Sequence, residues 1–92
     1  MLLEKKVKIS NKTGLHARPA SKFIQQAAKF NSDIKIILGD KEVNAKSIIA
    51  LLSLGAAPGS EITLQAEGSD AEAAINDLVN FIKNVLPEEE RE

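Results

Sequence analysis

The sequence predicts an α+β fold with an antiparallel sheet, and three observations carry that expectation. Three short stretches place apolar residues at every second position, which is the spacing of half-buried strands, and a fourth short strand returns from a two-residue turn. Two longer stretches repeat apolar residues at helical spacing, and a short apolar helix lies between them. Strands and helices follow in the order β-α-β-β-α-β-α, which suits a sheet with its helices on one face.

The elements take their bounds from local chemistry. Leu3, Val7 and Ile9 alternate with Glu4, Lys6 and Lys8, and only Lys5 breaks the pattern. Asn11 to Leu15 reads as a loop hinged at Gly14. Ala20, Phe23, Ile24 and Ala27 form the inner stripe of a first helix, from about Ala17 to Lys29, with Lys22, Gln25, Gln26 and Lys29 outside. Ile34, Ile36 and Leu38 make the second strand, Gly39-Asp40 a two-residue turn, and Lys41 to Asn44 the returning strand. Ser47 is placed to cap a short helix, Ile48 to Leu54, which Gly55 ends. After the Pro58-Gly59 turn, Ile62, Leu64 and Ala66 form the last strand. Ser69 followed by Glu72 has the spacing of a capping box. Ala71, Ala74, Ile75, Leu78, Ile82 and Val85 then line a third helix to about Leu86, which Pro87 is expected to end. One domain over residues 1–87 and an acidic, solvated tail over residues 88–92 are expected.

Composition removes several kinds of chemistry. The chain of 92 residues has no cysteine, hence no disulfide framework, thiolate metal site or cysteine nucleophile. Its longest apolar run, Ile48 to Leu52, is far short of a membrane span, and the N-terminus lacks a secretory h-region, so a soluble cytoplasmic protein is expected. The net charge of −1 conceals two opposed halves. Residues 1–32 carry seven bases and one acid, a charge of +6; residues 33–92 carry five bases and twelve acids, a charge of −7. A basic half of this kind suits acidic partners. Nucleic acid is the weaker reading, because no Tyr or Trp is present for base stacking.

The single histidine falls in Gly14-Leu15-His16-Ala17-Arg18-Pro19-Ala20. This places His16 at the N-cap of the first helix, with Ala17, Arg18 and Pro19 as its first turn. Pro19 fits there because the N–H it lacks has no intrahelical partner. The N–H groups of Ala17 and Arg18 remain open to an anion, and the Arg18 guanidinium suits phosphate. The result is a nucleophilic imidazole beside an anion site. A Ser-His-Asp arrangement cannot be built from these residues, and one histidine without cysteines or clustered carboxylates gives no metal site. Taken alone, a histidine near a helix start is more often an ordinary cap or surface residue than a catalytic one, and it is Gly14, Arg18 and Pro19 beside it that bring the two readings level.

The seven residues from Gly14 to Ala20 resemble the active-site motif of the HPr family, the histidine-containing phosphocarrier proteins of the bacterial sugar phosphotransferase system. The resemblance extends through Lys46-Ser47-Ile48, Ser53-Leu54-Gly55, Gly59 to Thr63 and Glu67 to Ala73, and covers essentially all of residues 2–86. It implies an open-faced β-sandwich: a four-stranded antiparallel sheet covered on one face by three helices. It implies that His16 accepts a phosphoryl group on Nδ1 from phosphorylated enzyme I and passes it to the A domain of a sugar-specific enzyme II. Arg18 would steady the phosphoryl oxygens, Ala17 and Arg18 would supply backbone N–H groups, and Thr13 would contribute to the loop. The protein would be a stoichiometric carrier and not an enzyme, without cofactor or metal; its oligomeric state is open in the sequence, with a monomer as the default expectation.

The resemblance gives Ser47 a second role. On position alone it is a good N-cap. In family members of Gram-positive type the matching serine is phosphorylated by an HPr kinase/phosphorylase, which creates a surface for a catabolite-control transcription regulator. Phosphate at Ser47 would also repel an acidic docking partner. The helix behind it is apolar nearly all round, more than one core-facing stripe requires, so part of it is expected to be a docking patch. Lys22, Lys46, Ile48, Ile49 and Leu52 are the candidates. A purely regulatory module is the competing reading, and retention of His16 argues against it, since some regulatory relatives have lost that histidine.

Overall fold

The computed structural model of the chain describes residues 2–89, and the side chain of Glu89 is outside that description. Strands β1 (Leu2–Lys8), β2 (Asp33–Leu38), β3 (Lys41–Asn44) and β4 (Glu61–Glu67) form one sheet in the order β1-β4-β2-β3. Every neighbouring pair is antiparallel. Helices α1 (Ala17–Ala27), α2 (Ile48–Leu54) and α3 (Ala71–Asn80) complete the expected order.

The period-two pattern sets which face is covered. The register puts Val7 opposite Ile62, and Ile36 opposite both Leu64 and Val43. Val7, Ile34, Ile36, Ile62, Leu64 and Ala66 are buried beneath the helices. Lys6, Lys8, Asp33, Lys35, Glu61 and Glu67, between them in sequence, are exposed on the open face. There Lys35 pairs with Glu42 at 2.8 Å, and that carboxylate holds the ammonium above its ordinary pKa. Lys5, the break in the alternation, is exposed on the edge strand β1, where a charge discourages pairing with another sheet.

Side chains lock the helices to one another. Phe23 of α1 is fully buried and its ring meets Phe81 at 6.4 Å between centroids, tilted by 57°. Gln26, expected to face outward, is half-buried and donates from Nε2 to Asp77 of α3 at 2.6 Å. Helix α1 ends at Ala27, two residues before the expected limit.

Two features depart from the expected reading of α3. Its N-cap is Asp70, not Ser69, and no side-chain cap bond forms. The Asp70 carboxylate instead accepts from the N–H of Asn31 at 2.8 Å, the N–H of Ser32 at 2.9 Å and the hydroxyl of Ser32. These bonds, led by that from the Ser32 hydroxyl, lower the Asp70 pKa below its ordinary value. The capping box is therefore replaced by a clamp on the α1–β2 loop. At the other end, Pro87 does not stop the helix. A π-helical turn, Phe81–Val85, follows α3, and a final α-turn spans Leu86–Glu89. Pro87 has no N–H to give the Lys83 carbonyl, and its ring would crowd that carbonyl in an α-turn. The wider π-turn, with Leu86 N–H donating to the Phe81 carbonyl, absorbs the mismatch. Of the expected acidic tail, residues 90–92 lie outside the described residues.

Candidate functional site

The loop between β1 and α1 is built against the segment that follows α2. Beyond the last residue of β1, Ile9 donates to the Ser60 carbonyl at 2.8 Å and accepts from Gly59 at 2.7 Å, which carries the β1–β4 ladder one step further. Asn11 then buries its amide, and Nδ2 donates to the Gly14 carbonyl at 2.9 Å. Lys12 and Thr13 form an exposed turn. Gly14 has φ +66°, and its Cα faces Ala56 and Ala57 too closely for any side chain. Leu15 is buried and donates its N–H to the Ala56 carbonyl at 2.9 Å.

His16 follows as the N-cap of α1, in extended backbone with φ −80° and ψ −173°. Its carbonyl accepts from the Ala20 N–H at 2.8 Å, and its ring makes no cap bond. The imidazole is exposed, as are Ala17 and Arg18, whereas Pro19 and Ala20 turn into the core. The N–H groups of Ala17 and Arg18 have no intrahelical acceptor, since they begin the helix. An exposed ring thus stands beside two open backbone donors, the positive end of an 11-residue helix and the guanidinium carrier Arg18.

The structure brings His16, Ala17, Arg18 and the Thr13 turn together, and it places Ser47 elsewhere. Ser47 caps α2, its Oγ accepting from the Ala50 N–H at 3.2 Å. The His16 loop rests on Ala56, just past Gly55 at the other end of α2. Ser47 and the Ala56 contact thus lie at opposite ends of α2, whose seven residues span about 10 Å at the usual rise. Leu51 and Leu54 of α2 are buried, while Ile48, Ile49 and Leu52 are 39%, 77% and 42% exposed. Lys46 is half-buried, its Nζ donating to the Phe30 carbonyl at 2.7 Å, and Lys22 is also half-buried. No group of three or more histidine, cysteine or acidic side chains is placed to hold a metal among the described residues. No helix among them is long and apolar enough to cross a membrane.

Asn11 and Ala56 were not among the expected site residues. An asparagine three residues before a glycine is a turn signal, and it was open to reading. The Ala56 contact, 41 residues along the chain from Leu15, has no local signature.

The family profile described as "PTS HPr component phosphorylation site" matches residues 3–84. The chain belongs to the HPr family. An HPr-like protein Crh of Halalkalibacterium halodurans is 49% identical over 82 residues, covering 89% of this chain and 98% of that one. A phosphocarrier protein HPr of Buchnera aphidicola is 48% identical over 77 residues, covering 84% and 91%. Among solved structures, an HPr of Thermoanaerobacter tengcongensis superposes with a TM-score of 0.86 at 51% identity, over 88% of this chain and 91% of that one. An HPr dimer from the same organism superposes with a TM-score of 0.73 at 50% identity, over 87% and 92%. The HPr family therefore accounts for the four-stranded open sheet, and its relatives include both phosphocarriers and Crh.

Proposed function

We propose that this chain carries a phosphoryl group on His16 between phosphorylated enzyme I and the A domain of a sugar-specific enzyme II, in the cytoplasm. The observation that carries the reading is the exposed, uncapped imidazole at the start of α1, beside the open N–H groups of Ala17 and Arg18. In the first transfer the lone pair of Nδ1 of His16 attacks the phosphorus held by the donor's ring, and in the second a ring nitrogen of the acceptor attacks the phosphorus held on Nδ1 of His16. A new N–P bond forms as the donor's N–P bond breaks, and the departing imidazole keeps that electron pair. The PO3 unit moves and no proton need leave either ring. Arg18 and the two backbone donors receive the charge on the phosphoryl oxygens, with Thr13 completing the loop. The helix end contributes on the order of 0.3–2 kcal/mol, a modest term that lets the group be passed on. No cofactor or metal enters this chemistry, and the chain is consumed and regenerated as a carrier.

Partners dock, on this reading, on the exposed apolar face of α2 formed by Ile48, Ile49 and Leu52, flanked by Lys22 and Lys46. The similarity to a Crh protein favours a second, regulatory reading of the same surface. HPr kinase/phosphorylase would phosphorylate Ser47, slow enzyme I docking and present α2 to a catabolite-control transcription regulator. Incubation with enzyme I and phosphoenolpyruvate tests the carrier reading. Wild type gains one acid-labile, base-stable phosphoryl group and Ser47→Ala does so too, whereas His16→Ala gains none. Incubation with the kinase and ATP reverses the pattern. The working unit is taken as one copy, and sedimentation equilibrium separates this from a dimer like that of the T. tengcongensis relative.

A further inference from the structure

We propose that Asn11 is a positioning residue for phosphoryl transfer, its buried amide setting the loop that presents His16. The inference rests on the carrier reading of His16. Among the described residues the buried polar side chains are Asn11 and Ser32. Ser32 is accounted for by the Asp70 clamp at the far end of the domain. Asn11 lies in the His16 loop itself, 1% exposed, between β1 and an exposed turn. Burying an amide is costly unless it finds a partner, and Nδ2 finds the Gly14 carbonyl at 2.9 Å.

The choice of partner is what makes the bond matter. Gly14 must be glycine, because its backbone presses against Ala56 and Ala57 at φ +66°. Glycine is also the loop's softest joint, free to rotate where any other residue is restrained. Rotation of the Gly14 carbonyl turns the Gly14–Leu15 peptide plane, and with it the Leu15 N–H that must meet the Ala56 carbonyl. The Asn11 amide holds that plane from inside the loop. His16 is the next residue, so the ring and the Ala17 and Arg18 donors inherit the orientation.

Asn11→Asp keeps size and shape but replaces the donor with a carboxylate facing a carbonyl oxygen; Asn11→Ala removes the group altogether. In both variants circular dichroism is expected to retain the fold. Exchange of the Leu15 amide, read by NMR without any partner, is expected to accelerate about tenfold, as for loss of one buried hydrogen bond. Steady-state transfer from enzyme I, with this protein as substrate, is expected to lose about tenfold in kcat at unchanged KM, because the reacting ring is misaligned and the α2 patch is intact. Wild-type kcat in a folded Asn11→Asp variant overturns the positioning role, and so does unchanged Leu15 exchange. A wild-type chain that accepts no phosphoryl group overturns the carrier reading instead, while the exchange measurement still reports on the clamp. A variant whose melting point falls while kcat and Leu15 exchange hold has only a structural residue at position 11, which also overturns the proposal.

Discussion

A Cβ on Gly14 falls on the Ala56 carbonyl oxygen and within 3.1 Å of the Ala57 Cα, in a backbone conformation that side chains rarely adopt. Gly14→Ala is therefore expected to lower stability by about 2 kcal/mol or more in a urea titration, and to raise Leu15 amide exchange alongside. Gly55 offers the contrast: its φ is also +66°, yet nothing lies within 4 Å of its would-be side chain, so only backbone strain opposes substitution. Asp70 gives a pH-dependent prediction. Its hydrogen bonds to Ser32 and Asn31 lower its folded pKa, so its contribution is present above the ordinary aspartate range and is lost as pH falls through the depressed folded value. Asp70→Asn is expected to be less stable than wild type at pH 7. It should also lose part of the acid sensitivity, so that the two melting temperatures converge toward pH 2. A constant difference between the two curves from pH 7 to pH 2 would contradict the assignment.

Helix α2 is the element in which local signals and the fold agree most closely. Its observed limits, Ile48 and Leu54, are those expected from Ser47 before it and Gly55 after it, because both capping signals act through adjacent backbone. Its excess of apolar residues resolves into a buried side, Leu51 and Leu54, and an exposed side led by Ile49. Ile49→Asp is accordingly expected to change stability by no more than about 0.5 kcal/mol, while raising the KM for transfer from enzyme I; an unchanged KM would remove Ile49 from the docking surface. Helix α3 shows where local reading stops. The Ser69–Glu72 spacing was a valid signal, but Asp70 is captured by Asn31 and Ser32, 38 and more residues distant, and tertiary contacts outweigh a cap worth about 1 kcal/mol. Pro87 was legible as a disturbance, yet its effect appears one turn earlier, as the π-turn that lets the helix continue to Glu89. The same distinction holds in the site. The His16 N-cap is written in Gly14-Leu15-His16-Ala17-Arg18-Pro19, whereas the support beneath it comes from Ala56, which the chain reaches only after α1, two strands and α2.

Over the whole molecule, the opposed charges of the two halves meet in one sheet, since β1 pairs with β4 along its full length. The basic half ends in the β1–α1 loop and α1, so Lys12, Arg18 and Lys22 lie on the segments that carry His16. Attraction of acidic partners to this surface predicts that the KM for enzyme I rises as salt shortens the Debye length from about 30 Å at 0.01 M to about 10 Å at 0.1 M, with kcat little changed. A salt-independent KM would leave docking to the apolar patch alone. The small size of the molecule has a functional counterpart. The His16 ring is exposed on the surface, so on the proposed carrier reading a partner supplies the opposing wall and each transfer takes place at an interface. The most direct test of that account is NMR on the product of enzyme I and phosphoenolpyruvate, with phosphorus-to-ring couplings locating the bond. The account predicts one phosphoramidate on Nδ1 of His16. A phosphate found on Ser47 or on any other residue after this incubation, with the His16 ring unmodified, would contradict it.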